Sequence, residues 1–303
     1  NAPKLNGWLI VDKPAGMTST AVVNRVRALT QGAKAGHAGT LDPLATGVLP
    51  VAFGEATKTV AYAMDGLKTY QFRVRWGEAR VTDDADGAVS ETCEDRPDAA
   101  GIRQALAAFR GVISQVPPAY SAIKVAGERA YDLARADRPV VLDARAVTIH
   151  RFDLVAVVDR DLADFEVVAG KGAYMRSLAR DLARALGTCG HITVLRRTAV
   201  GAFRECDAIL IETLGGAGEE TGVAHRLLPV ETALADIPAL AVTGSEAGHL
   251  RSGEAVHLFR TMDLDRIRDL ADGAMVCAKA GNKPVALARL EGGRIHPVRV
   301  LNL

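Results

Sequence analysis

The stretch His37-Ala38-Gly39-Thr40-Leu41-Asp42-Pro43-Leu44-Ala45-Thr46-Gly47-Val48-Leu49-Pro50 decides how the rest of the chain is read. Pro43 donates no backbone hydrogen bond and biases Asp42 away from helical geometry, while the flanking glycines allow a tight loop that aims the carboxylate outward. Leu41, Leu44, Val48 and Leu49 anchor such a loop in a core and hold the carboxylate in a partly dry place. A carboxylate there needs a cationic partner to stay charged, and the local pattern does not choose one. An Asp before a Pro is, on its own, most often a plain turn residue.

Outward from this loop, Leu5 to Val11 reads as a strand leading into a turn at Lys13-Pro14-Ala15-Gly16. Thr18 or Ser19 then caps a helix with Val22, Val23, Val26 and Leu29 on one face. The segment from Gly32 to Pro50 is rich in Gly and Pro and reads as loop. Tyr70, Phe72, Val74 and Trp76 alternate with Thr69, Gln71, Arg73 and Arg75, the pattern of a half-buried strand. Asp98 caps a helix through Ile102, Leu106 and Phe109 that Gly111 stops. Pro117 to Asp143 is polar and mixed in charge. Strands follow at Ala146 to Val158 and Leu162 to Ala169, a helix at Tyr174 to Leu186 with Gly187 as its stop, and a strand at His191 to Phe203.

Strands first and between helices, without regular βαβ alternation, indicate an α+β fold with a mixed, mainly antiparallel sheet flanked by helices. After Pro238 the chain turns to short strands at Ala239 to Val242, Ala255 to Phe259, Gly273 to Ala278, Val285 to Leu290 and Pro297 to Val300. The expected division is therefore 1–235 and a small β-rich module at 236–303.

Composition sets outer bounds. The 303 residues are 49% hydrophobic and 24% charged, ample for a core, and no apolar run reaches the roughly 18 residues of a membrane span. Asn1 is not a translation start, so a short leader is expected to have been processed or trimmed. Cys93, Cys189, Cys206 and Cys277 are scattered without a CxxC pair, which argues against zinc and against a disulfide framework and fits a reducing cytoplasm. The net charge of +1 is segregated: residues 1–38 set Lys4, Lys13, Arg25, Arg27 and Lys34 against Asp12, and residues 171–204 set seven basic residues against Asp181. The stretch 78–98 carries eight acids against Arg80 and Arg96. Such segregation can give a basic face suited to phosphates, although charge alone is better explained by a patchy solvated surface.

The string GHAGTLDPLATGVLP (Gly36 to Pro50), read with GWLIVDKPAGMTS (Gly7 to Ser19), closely resembles the TruB family of tRNA pseudouridine synthases. Further matches follow in order: GEATK (Gly54 to Lys58), KTY (Lys68 to Tyr70), DADG (Asp84 to Gly87), QVPPAYSAIKVAGERAYDLAR (Gln115 to Arg135), KGAYMRSLARDL (Lys171 to Leu182) and LRRTAVG (Leu195 to Gly201). The colinear set spans about three-quarters of the chain. It implies that Asp42 is the catalytic aspartate, whose carboxylate attacks a uridine so that the uracil leaves C1′, turns, and reattaches through C5. Arg176 is then its cationic partner, Tyr70 packs on the target base, and Tyr174 and Leu195 line the uracil site. His37 fills the space left by the flipped base. Lys13, Lys58, Lys124 and Arg129 are implied phosphate contacts, the last two in a thumb-like insertion at about 117–145.

The resemblance further implies the T-loop uridine at tRNA position 55 as target, the tRNA T-stem-loop as partner, no cofactor and no metal, and stand-alone action as a cytoplasmic monomer without guide RNA or obligate protein partner. The last 65 or so residues, best at HLRSGEAV (His249 to Val256), resemble a PUA RNA-binding module. Arg80 and Val81 depart from the family pattern, off the catalytic set. Two rivals stand beside this reading. An RNA-folding chaperone would use the same surface without chemistry, and a glycosidase would need a second carboxylate facing the first, which no matched motif offers.

Overall fold

The computed structural model describes residues 4–121, 142–214, 222–258 and 265–303, and between them the backbone of 124–125 and 128–129. The first strands are β1 (Gly7–Lys13), β2 (Ala35–His37), β3 (Thr46–Phe53) and β4 (Lys68–Trp76), then β5 (Glu78–Arg80), β6 (Val89–Thr92) and β7 (Gly111–Gln115). They are followed by β8 (Lys124–Val125), β9 (Glu128–Arg129), β10 (Arg145–Val157) and β11 (Leu162–Ala169), and by β12 (Gly190–Val200), β13 (Phe203–Arg204) and β14 (Ile209–Leu210). Helices α1 (Ser19–Leu29), α2 (Val60–Asp65), α3 (Ala99–Leu106) and α4 (Met175–Ala185) are interspersed.

The main sheet runs β14-β1-β3-β12-β4-β11-β10-β7, with β2 added to β3 and β13 to β12. Only the β1·β14 and β3·β12 pairs are parallel, so the sheet is mixed and mainly antiparallel, as expected of an α+β fold. The decisive feature is β12: it is made late in the chain and lies between β3 and β4. Gly47 permits this closeness, since a Cβ there would run into the Arg197 carbonyl.

One face of β4 buries Phe72, Val74 and Trp76, and Phe72, Phe152 and Phe165 form an aromatic cluster beneath α3 and α4. Val22, Val23 and Val26 of α1 join this core, whereas Leu29, expected on the same face, is exposed. Thr18 is the α1 cap, accepting from the Ala21 N–H, and Asp98 caps α3 from the Gly101 N–H.

The Gly32 to Pro50 segment is not all loop. Its end forms β3, a nearly continuous buried run that pairs with β1 along seven residues. Prolines are rare inside sheets, which masks this strand in the sequence. Pro50 accepts from the Ala38 N–H but has no N–H to return, and β2 ends at His37, one residue earlier.

A second sheet is built from β15 (Ala239–Ala241), β16 (Val256–His257), β17 (Met275–Ala280), β18 (Lys283–Glu291) and β19 (Arg294–Val300), in the order β15-β17-β18-β19-β16. It also holds a helix absent from the sequence reading, α5 (Gly244–Arg251), started by a capping box between Thr243 and Glu246. Cys277 and Leu287 of this sheet, and Leu301 just after it, share a hydrophobic cluster with Trp8, Ile10, Phe203 and Val230, so the two sheets are joined by common core. No described helix is long and apolar enough to cross a membrane.

The cysteines require a correction. Cys93 and Cys189, 96 residues apart, form a disulfide, while Cys206 and Cys277 are free. No spacing in the sequence announces the pair; the fold makes it, because Gly77 donates to the Cys189 carbonyl and accepts from the Cys93 N–H.

Candidate active site

The Asp42 loop is fastened from both sides by the N-terminal motif. Leu41 donates its N–H to Ser19 Oγ at 2.8 Å, and Ser19 Oγ donates back to the Leu41 carbonyl at 3.2 Å. The Pro43 carbonyl accepts from the Gly16 N–H at 2.8 Å and from Lys13 Nζ at 3.2 Å. With Ala45 N–H on the Asp42 carbonyl, the peptide on each side of the aspartate is fixed.

Arg176, on the first turn of α4, meets the Asp42 carboxylate with two parallel hydrogen bonds, Nε to Oδ2 at 2.9 Å and Nη2 to Oδ1 at 3.0 Å. The remaining donors go to the Thr82 carbonyl at 3.0 Å, the Tyr120 carbonyl at 2.9 Å and Asp84 Oδ2, 3.6 Å away. Four of the five N–H groups of a guanidinium that is only 4% exposed thus make hydrogen bonds, and Asp84 adds an ion-pair contact. Asp84 is itself buried and accepts from the Asp86 N–H, which answers the DADG pattern structurally. The departing Arg80 braces the same turn through the Gly87 carbonyl and Glu78.

Asp42 borders a cavity of 330 Å³ that Tyr70, Tyr174, Leu195, Ser121, Lys68 and Arg197 also line, within the size range of small-ligand sites. Tyr174 is held by its backbone: its N–H donates to Gln115 Oε1 at 2.8 Å, and Gln115 Nε2 donates to its carbonyl at 3.1 Å. Burial first, and then the charge of Asp42, push the Tyr174 phenol above the usual tyrosine range. Asp42, Tyr70, Tyr174, Arg176 and Leu195 therefore converge. His37 does not line the cavity; it closes β2, half-buried, and burial followed by the Arg197 charge pulls its imidazole below the usual histidine range.

Two of the implied phosphate contacts are placed otherwise. Lys13 is fully buried, and its ammonium donates to the carbonyls of Pro14, Met17 and Pro43 at 2.9, 2.6 and 3.2 Å. It clamps the loop and faces no solvent that a phosphate could occupy. Lys58 donates to Glu55 at 2.7 Å and to the Val300 carbonyl at 2.9 Å, tying the short 3₁₀ helix Gly54–Thr59 after β3 to the end of β19. Lys124 and Arg129 are described by backbone alone, and their side chains lie outside the described residues.

Sequence reasoning overlooked Lys68, Gln115, Ser121 and Arg197, and it reads Asp84 only as part of a polar turn. The alternation along β12 was the available signal for Arg197, since a strand must turn one of two adjacent arginines inward. Among the described residues, one group brings metal-ligating atoms together, Glu91, Cys93 and Cys189 within 4.8 Å. Its sulfurs are bonded to each other, and none of the three lines the cavity.

The geometry has close counterparts. Residues 27–175 match the N-terminal domain of the TruB family pseudouridylate synthases, and residues 176–235 match the tRNA pseudouridylate synthase B C-terminal domain. The chain is 57% identical over 300 residues to the tRNA pseudouridine synthase B of Gluconacetobacter diazotrophicus, covering 98% of this chain and 97% of that one. It is 52% identical over 299 residues to the protein of the same name from Rhodospirillum rubrum, covering 99% and 97%. Among solved structures it is similar to a chain of a Cbf5-Nop10-Gar1 complex, with TM-score 0.74 and 24% identity over 98% of this chain and 85% of that one. At that identity the likeness is one of fold.

Proposed function

We propose that this chain, which belongs to the TruB family of pseudouridylate synthases, isomerises uridine to pseudouridine in tRNA, with the T-loop uridine as its target. The uridine leaves its stack and enters the cavity between Tyr70, Tyr174 and Leu195. Asp42 attacks the nucleotide, the bond from uracil to C1′ breaks, and the base turns and rejoins through C5. The C5 proton is lost and N1 gains one, so no atom is added or removed overall. Arg176 keeps the carboxylate aimed and balanced in charge, a preorganisation that needs no movement at the moment of reaction.

The observation that carries this reading is the two-pronged Asp42–Arg176 pair on the wall of an aromatic cavity. Residues 1–235 form the catalytic part in this reading, and 236–303 a PUA-like RNA-binding module. The protein works alone on the T-stem-loop in the cytoplasm, as a monomer, without guide RNA, metal or cofactor.

The test is tritium release from transcribed tRNA labelled at uracil C5, for the native protein and for Asp42→Asn. Release by the first, none by the second, and undiminished tRNA binding by both are expected. Release by Asp42→Asn would remove Asp42 from the chemistry; tight binding without release by either protein would favour the chaperone reading.

A further inference from the structure

Arg196 and Arg197 are adjacent on β12 and face opposite ways. Arg196 lies on the open face and forms ion pairs with Asp12 at 2.9 Å and Glu205 at 2.6 Å. Arg197 is 1% exposed and lines the cavity, yet no carboxylate is among its partners in the described residues. Its Nε donates to the Val48 carbonyl at 2.9 Å and its Nη2 to the Gly39 carbonyl at 3.0 Å, with the Thr40 carbonyl 3.5 Å from Nη1. A buried cation held by neutral carbonyls alone is a poor way to stabilise a fold.

The remaining neighbour explains its presence. Arg197 stands directly opposite Tyr70 in the antiparallel β12·β4 register, so the two side chains share a face. The Tyr70 hydroxyl is the side-chain oxygen within its reach, and it opposes the downward pull of burial on the guanidinium. A guanidinium offers donors and no acceptor. A hydrogen bond between these facing side chains has the Tyr70 oxygen as its acceptor, and it leaves the phenolic O–H free to turn toward the cavity that both residues line.

On the reading of the site given above, we propose that Arg197 is a positioning residue for the isomerisation: it holds the Tyr70 hydroxyl with its proton directed at the bound uridine, as a donor to an oxygen of the base.

A double-mutant cycle under single-turnover conditions, with tritium release as readout, tests this. Arg197→Met is expected to slow release about tenfold in the native background, the worth of one hydrogen bond from a charged donor, with little change in KM. In the Tyr70→Phe background, where no oxygen remains to be oriented, the same substitution is expected to cost almost nothing further. Equal losses in both backgrounds would overturn the proposal and leave Arg197 as a clamp on the Gly39 and Val48 carbonyls. If Arg197→Met does not fold, Arg197→Lys takes its place in the cycle; it keeps a cation and loses the fork, and the same dependence on the Tyr70 oxygen is expected. An absence of tritium release by the native protein itself would instead defeat the reading of the site, and this inference with it.

Discussion

Ser19 and Leu41 exchange two hydrogen bonds across 22 residues, and through them the first residue of α1 holds the peptide immediately before Asp42. The first turn of a helix and the aim of a carboxylate thereby become one piece of structure. Arg176 sets the direction of the Asp42 side chain, but Ser19 sets where that side chain starts.

Replacing Ser19 with Ala leaves the buried Leu41 N–H without its partner, a loss of about 1–3 kcal/mol. A lower melting temperature is expected, together with a fall in kcat that exceeds any rise in KM, because the tRNA surface is untouched. Calorimetry and steady-state tritium release on the same preparation check both. An unchanged kcat would mean that Arg176 aims Asp42 without help from the backbone.

Stability should depend on alkaline pH through Lys13. Burial lowers its ammonium from 10.5 to about 8, against the opposing charge of Asp42. Between pH 8 and 10.5 the unfolded chain then binds more protons at this position than the folded one, so the cost of burying the charge is relieved as pH rises. The unfolding free energy of the native protein relative to Lys13→Met is expected to increase across that window and to be flat below it. Urea titrations of both proteins at several pH values give the difference, and a flat line throughout would mean that the three carbonyls hold Lys13 fully charged.

Lys58 separates a tether from a phosphate contact. A lysine that neutralises a phosphate contributes about one to the slope of log K against log salt. Lys58→Ala is expected to leave that slope unchanged in tRNA binding and to increase hydrogen exchange in β19, whose Val300 carbonyl it holds. A shallower salt slope with unaltered exchange would restore the phosphate role.

The Asp42 loop was legible because its signals are local: a proline after the aspartate, glycines around it, and apolar anchors of which Leu41, Val48 and Leu49 are buried and Leu44 packs half-buried against the core. Strand β4 was legible for the same reason, since alternation is a property of neighbours. What escaped depends on distant partners. Lys13 and Lys58 look like any basic residue in a motif until the carbonyls that hold them are known. The pair Arg196 and Arg197 reads as one basic patch, although the pleat sends one to Asp12 and the other to the wall of the Asp42 cavity. Helix α5 could have been found, because Thr243 and Glu246 stand at capping-box spacing. The Cys93–Cys189 bond could not, for nothing near either cysteine names the other.

The place of β12 in the sheet also governs when the site comes into being. Strands β1 and β3 on one side and β4, β11 and β10 on the other are all synthesised before residue 190, and none of the former pairs with any of the latter. Arg176 exists by then, but the wall that carries Leu195 and Arg197 does not. A growing chain on the ribosome thus has no strand pairing between the two halves of the sheet and no closed cavity, and the last long strand of the main sheet completes the scaffold and the Asp42 cavity in the same event.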